Sequence, residues 1–153
     1  MTSGLRILGL LGLVVGLAIG VASCSDKTGA DKFVGSWTYA GAINPNCGDA
    51  APIDLTGEMV TITASDSSHI TMQLGTLCTV KFDVDGTMAT AQAGQTCRFD
   101  IPGYGPVDAS IKTWTLMVSG DTITSDFSGS VLICLPSGTG TLTRVSTDDG
   151  GGQ

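Results

Sequence analysis

The chain has 153 residues, with 14 acidic against 7 basic side chains and a formal net charge of −7. That balance offers no basic stripe to phosphates, which argues against nucleic acid as a partner; acidity of this kind chiefly serves solubility. One histidine, and five cysteines with no CxxC pair, leave little material for a zinc site or a thioredoxin-like redox centre.

The first element is apolar. Residues 1–6 carry one basic side chain, Arg6, and Ile7 to Ala22 is wholly apolar or glycine. These 16 residues fall short of the ~20 that span a bilayer comfortably. Four glycines (9, 12, 16 and 20) and the lack of a polar face make the run a poor core helix. A basic start, a short apolar core and a small-residue site predict a secretory signal peptide over residues 1–23. Its end is more specific: Val21-Ala22-Ser23-Cys24 resembles the lipobox of bacterial lipoproteins. The resemblance implies a diacylglyceryl group on the Cys24 thiol, cleavage between Ser23 and Cys24, and in many bacteria a third acyl chain on the new amino group. One acyl chain holds weakly and two or more hold stably, so the implied partner is the membrane, reached through a lipid anchor. The residue after the cysteine is Ser25 and not aspartate; in a cell with two membranes the resemblance implies the outer one. The expected location is therefore the bacterial cell envelope.

Residues 24–32 (CSDKTGADK) then read as the lipidated cysteine and a flexible tether, and 147–153 as a disordered Gly/Asp tail. Without residues 1–23 the chain has 130 residues, with 6 basic and 14 acidic side chains and a net charge of −8. That length suits one domain, expected over 33–146.

Period-two alternation dominates this domain. In 58–64, Val60, Ile62 and Ala64 share a face; in 69–74, Ile70, Met72 and Leu74 do; in 78–84, Val80, Phe82 and Val84. Asp85-Gly86 supplies a hairpin signal. In 96–101, Cys97, Phe99 and Ile101 oppose Thr96, Arg98 and Asp100, and in 112–118 Trp114, Leu116 and Val118 face inward. Ser119-Gly120-Asp121 turns the chain into 121–127; Val131 to Leu135 is a nearly continuous apolar run, read as strand, and 139–145 closes the domain. No stretch of 33–146 carries a 3.6-residue apolar stripe. The pattern predicts an all-β fold, a small antiparallel barrel or sandwich of about eight to ten strands.

Its two ends point to a barrel. Gly35-Ser36-Trp37, following Phe33, resembles the Gly-x-Trp motif that opens the first strand of lipocalins and related calycin barrels. Those barrels pack a basic residue of the last strand over that tryptophan, and Arg144 is the counterpart here. By parity Trp37 faces inward with Phe33 and Tyr39, and Arg144 with Leu142. The resemblance implies a lipocalin-like barrel closed at one end by a cation–π contact worth ~0.5–2 kcal/mol.

Four cysteines follow Cys24, and an even number in an exported chain points to two disulfides with three possible pairings. Parity turns Cys78 and Cys97 inward, and the Asp85-Gly86 hairpin sets Cys78 near Ala93, from which a turn at Gly94-Gln95 brings Cys97 back. The expected pairs are Cys78–Cys97 and Cys47–Cys134; an approach of loop 41–57 to Cys78 is the competing geometry.

Catalysis has few candidates. Nucleophilic hydrolysis needs a base beside the nucleophile, and the one histidine, His69, shares its parity with Thr71 and Gln73 on the solvent face. Asp83-Val84-Asp85-Gly86 does not fit a calcium loop, because its first and twelfth positions would be Lys81 and Gln92. No catalytic residue, cofactor or metal is expected. Two functions remain: a non-catalytic structural or interaction module with an envelope protein partner, or a lipocalin-like binder of a small apolar ligand or lipid, its pocket lined by Met72, Phe82, Phe99 and Trp114.

Overall fold

The computed structural model describes residues 29–146; the leader, Ser23, Cys24, the rest of 25–28 and the tail 147–153 lie outside it. Strands are β1 (Gly35–Asn44), β2 (Ile53–Asp54), β3 (Met59–Asp66), β4 (His69–Leu74), β5 (Cys78–Asp85), β6 (Met88–Ala91), β7 (Thr96–Ile101), β8 (Gly105–Ser119), β9 (Thr122–Ser130) and β10 (Ser137–Arg144). All pairings are antiparallel, in the order β10-β9-β8-β6-β5-β4-β3-β1, and β10 pairs β1 again. The result is a closed eight-stranded up-and-down barrel, closure that removes the free edges of an open sheet from these eight strands. The two extra strands extend it at one end: β2 continues the β3 side of β1, and β7 continues the β6 side of β8.

Inward parity holds at most of the positions where alternation predicts it; Ala64, at the bulge near the end of β3, is exposed and Val84 is half-buried. Val60, Ile62, Ile70, Met72, Leu74, Val80, Phe82, Cys97, Phe99 and Ile101 are buried, while their even or odd partners face out. A bulge between Ile111 and Thr113 explains why β8 is longer than its alternation suggests. Lys112 is the extra residue; before it Ala109 and Ile111 face inward, and after it Trp114, Leu116 and Val118 do. A bulge thus switches the parity of one strand without ending it.

Eight strands make an interior just wide enough to be filled by side chains or to hold one small ligand. Side-chain size decides between them. Seven of the eight aromatics (Phe33, Trp37, Tyr39, Phe82, Phe99, Trp114 and Phe127) are no more than 2 % exposed. Phe82 and Phe127 each meet Trp114 edge-on, and Phe99 meets Phe127 likewise. Where β1 and β10 close the barrel, space runs short and glycine yields it. Gly140 faces inward under the Tyr39 ring, where a Cβ would overlap the ring carbons. The Tyr39 hydroxyl is buried but hydrogen-bonded to Ser125, which also accepts from Trp114 Nε1 at 2.9 Å. Burial, despite that bond, pushes the Tyr39 pKa above its usual value.

Both disulfides join the expected partners, Cys47–Cys134 and Cys78–Cys97. The route to the second differs from expectation. β5 and β6 turn at Gly86-Thr87, so Phe82 opposes Ala91 and Val84 opposes Ala89; this register moves Cys78 past Ala93. Between β6 and β7 the Gln95 side chain fills the gap in the ladder. Its Oε1 accepts from the Lys81 N–H at 2.7 Å and its Nε2 donates to the Lys81 carbonyl at 2.8 Å.

Two further expectations change. Val131 to Leu135 is a tight turn and not a strand: Val131 and Cys134 exchange backbone hydrogen bonds, with Leu132 and Ile133 outside at the tip. Residues 29–32, expected within the tether, fold onto the barrel: Ala30–Lys32 form a 3-10 turn and Ala30 is fully buried. Gly140→Ala should cost about 1–3 kcal/mol through overpacking against Tyr39; urea titration of the variant against the parent chain checks it.

Candidate functional site

Three places hold the residues with chemistry to offer: the closed base, the interior and a histidine on the rim.

At the base, the chain enters through the 30–32 turn and leaves through the end of β10. Arg144 lies over the Trp37 ring with its guanidinium carbon 4.1 Å from the centroid. Every part of the guanidinium has a partner: Nη1 donates to the Val34 carbonyl (2.7 Å), Nη2 to the Lys32 carbonyl (3.0 Å) and Nε to the Asp121 carboxylate (3.0 Å). The Trp37 indole N–H in turn donates to the Phe33 carbonyl at 2.9 Å. Gly35 has φ +143°, and a Cβ there would stand 2.5 Å from Arg144 Nη1; the guanidinium can reach the Val34 carbonyl only past a residue without one. Gly-x-Trp and the late arginine are thus one unit, a planar cation clamped between an indole face and the entering backbone. The resemblance to the lipocalin motif pointed to Trp37 and Arg144, and parity to their inward direction. Asp121 was not legible, because it completes the clamp from the β8–β9 turn, 23 residues away in sequence.

The interior brings together the four residues expected to line a ligand pocket, but as core. Met72, Phe82, Phe99 and Trp114 are each at most 1 % exposed and belong to one continuous apolar cluster. No buried side-chain nitrogen or oxygen among the described residues lacks a hydrogen bond, so no polar group inside awaits a ligand.

On the rim, His69 sits beside Ser68 and Asp66, a grouping that invites comparison with a hydrolytic triad. A triad needs the serine at one ring nitrogen and the carboxylate at the other. Here Asp66 (2.8 Å) and Ser68 Oγ (3.2 Å) both approach Nδ1, while Nε2 faces Asp83 at 3.5 Å. The grouping is a turn motif: the Asp66 carboxylate accepts the Ser68 backbone N–H and hydroxyl and meets His69. Those bonds, the Ser68 N–H first, hold the Asp66 pKa down at about 2. Asp83 is taken by the Gln92 amide at 2.7 Å. Among the described residues no group of three or more His, Cys, Asp or Glu side chains is placed to hold a metal. Cys47–Cys134 ties the loop after β1 to the turn before β10, at the end of the barrel opposite the clamp.

No family model, curated protein or solved structure matches the chain.

Trp37→Ala should destabilise the barrel by ~3–5 kcal/mol, and Arg144→Ala by less. A double-mutant cycle should give a coupling of about 0.5–2 kcal/mol, and Arg144→Lys should not restore it, because an ammonium cannot present three donors in one plane. Additive effects in the cycle would refute the clamp.

Proposed function

We propose that this chain is a lipid-anchored protein of the bacterial envelope, held by an acylated Cys24, whose small lipocalin-like barrel works as a non-catalytic interaction module. The observation that carries the second half is the filled interior: Met72, Phe82, Phe99 and Trp114, the residues a ligand would displace, are packed core. The small-ligand reading has no comparable support, since opening a cup would cost the aromatic packing that holds the barrel. The lipocalin-like reading draws on the up-and-down order of the eight closing strands and on the clamp of Gly35, Trp37 and Arg144.

The anchor reading rests on residues 7–24 of the sequence, and the fold is compatible with it. The chain enters the barrel beside Trp37 and leaves it beside Arg144, so an acylated Cys24 would hold the base towards the membrane and turn the Cys47–Cys134 end away. Ser25 favours the outer membrane in a cell that has two.

Labelling cells with a radioactive or clickable palmitate tests this. The full chain should take up label, run at the mass of the cleaved and acylated form, and enter the detergent phase on Triton X-114 partition. Cys24→Ser should lose all three properties. An unlabelled wild-type chain, or a Cys24→Ser chain with unchanged membrane fraction, would contradict the assignment.

A further inference from the structure

The end of the barrel remote from the base carries an apolar surface that folding does not use. Leu132 and Ile133 form the tip of the Val131–Cys134 turn and are 98 % and 96 % exposed; Leu135 and Tyr104 beside them are 65 % and 63 % exposed. Tyr104 is the one aromatic of the chain outside the core. Hairpin physics would choose otherwise here. A two-residue turn favours Gly, Asn or Asp, yet Leu132 has φ +48°, a region costly for a branched aliphatic. The Cys134–Cys47 disulfide at the base of the turn ties it to the loop after β1. Two exposed aliphatics, one of them in a strained backbone, are thus presented on a braced support.

Between this turn and the Ile101–Gly105 turn lies a groove of about 230 Å³, lined by Ile101, Tyr104, Val107, Leu132 and Ile133. It is smaller than the ~300–1,000 Å³ of small-molecule pockets, and of a size for one large apolar side chain. Its surroundings carry one sign of charge. Asp49 follows the lining residue Gly48, is exposed and makes no ion pair among the described residues, while Asp100 lies on the outer face of β7, opposite to the lining residue Ile101. The one cation in segments 44–50, 96–108 and 130–137 is Arg98, which Asp108 holds through both oxygens at 3.0 and 3.1 Å. An apolar groove beside the uncompensated Asp49 carboxylate, with no free cation in the segments around it, repels a second copy of this acidic chain and an anionic bilayer alike, and attracts cations.

We infer that the groove between Tyr104 and the Leu132–Ile133 tip docks a basic segment of a protein partner, one large apolar side chain entering the groove and a flanking Lys or Arg meeting Asp49. This deepens the interaction-module reading and rests on it, since removal of the apolar leader leaves the tip uncovered by residues 7–22. On that reading the tip also faces away from the anchoring membrane, where a soluble or periplasmic partner can reach it.

Random 12-residue peptides displayed on phage, selected against the full chain in non-ionic detergent, test the inference. Selected peptides should combine a large apolar residue with Lys or Arg within two positions, and their binding should weaken with salt. Leu132→Gly suits φ +48° and should keep or raise the urea midpoint, yet weaken peptide binding ~10-fold, the loss expected for one buried aliphatic side chain. Asp49→Lys, which leaves the apolar tip untouched, should weaken binding and reduce its salt dependence. Neutral or acidic peptides, no selection at all, or binding indifferent to both substitutions would overturn the inference. So would two other tip-dependent results: a dimer in analytical ultracentrifugation that Leu132→Gly dissolves, which would make the occupant a second copy, or flotation of the Cys24→Ser chain with phosphatidylcholine vesicles, which would make it a lipid surface. Palmitate labelling is read separately, so a failed selection with a labelled chain removes the docking site and leaves the anchor.

Discussion

Closure of the sheet between β1 and β10 is the constraint on which the rest of the molecule depends. Eight residue pairs, from Trp37 with Arg144 to Asn44 with Ser137, join the ends of the sheet. A barrel of eight strands has little interior to spare, and this one places Trp37, Tyr39 and Ile43 on a single closing strand. Opposite them β10 offers Gly138, Gly140 and Leu142 inward. Small faces large across the seam, so closure and core filling are achieved by the same residues. The Tyr39 hydroxyl, carried inward with its ring, meets Ser125, the one buried polar side chain of the described residues, which the Trp114 indole also needs. A polar group that closure forces inside is thereby satisfied, as burial requires.

The two ends of the barrel differ because the chain does different things there. At the base both chain directions meet, and Arg144 binds the entering backbone, an indole face and a turn carboxylate together. At the other end, among the described residues, loops fill the space: the loop after β1 and the turn before β10, linked by Cys47–Cys134. Side chains that the core cannot absorb, Leu132, Ile133, Leu135 and Tyr104, stand outside at that end. The base is thus packed and polar-satisfied, and the opposite end is braced yet apolar. That division is consistent with the proposed interaction module.

Much of the fold was legible in the residues. Alternation in 69–74, 78–84 and 96–101 marks strands whose observed bounds differ by at most one residue, since Ile70, Met72, Leu74, Val80, Phe82, Cys97 and Phe99 each need one buried face. The same parity turned Cys78 and Cys97 towards each other's side, whereas Cys47–Cys134 was expected as a link from the loop 44–50 to a late segment; both pairs form. Other features escaped for physical reasons. Met88–Ala91 is a short strand with only Ala89 buried, too little to register as a pattern. Val131 to Leu135 is as apolar as a buried strand, and periodicity cannot tell a core run from an exposed turn. The Lys112 bulge inverts parity within β8, and the Gln95 amide replaces backbone in a ladder; neither leaves a mark in hydropathy. Of the residues singled out for function, Trp37 and Arg144 meet as expected, while Met72, Phe82, Phe99 and Trp114 meet as core, because a barrel with seven inward aromatics has no room for a guest.

The claim that the interior is closed to ligands is open to a direct test by NMR. With the methionine methyl and aromatic side chains labelled, the full chain in non-ionic detergent would be titrated with a medium-chain fatty acid and with a small aromatic probe. A filled barrel predicts that the Met72, Phe82, Phe99 and Trp114 resonances stay in place up to ligand excess. Saturable shifts of those four at one equivalent would contradict it, and would return the barrel to the class of ligand-carrying cups.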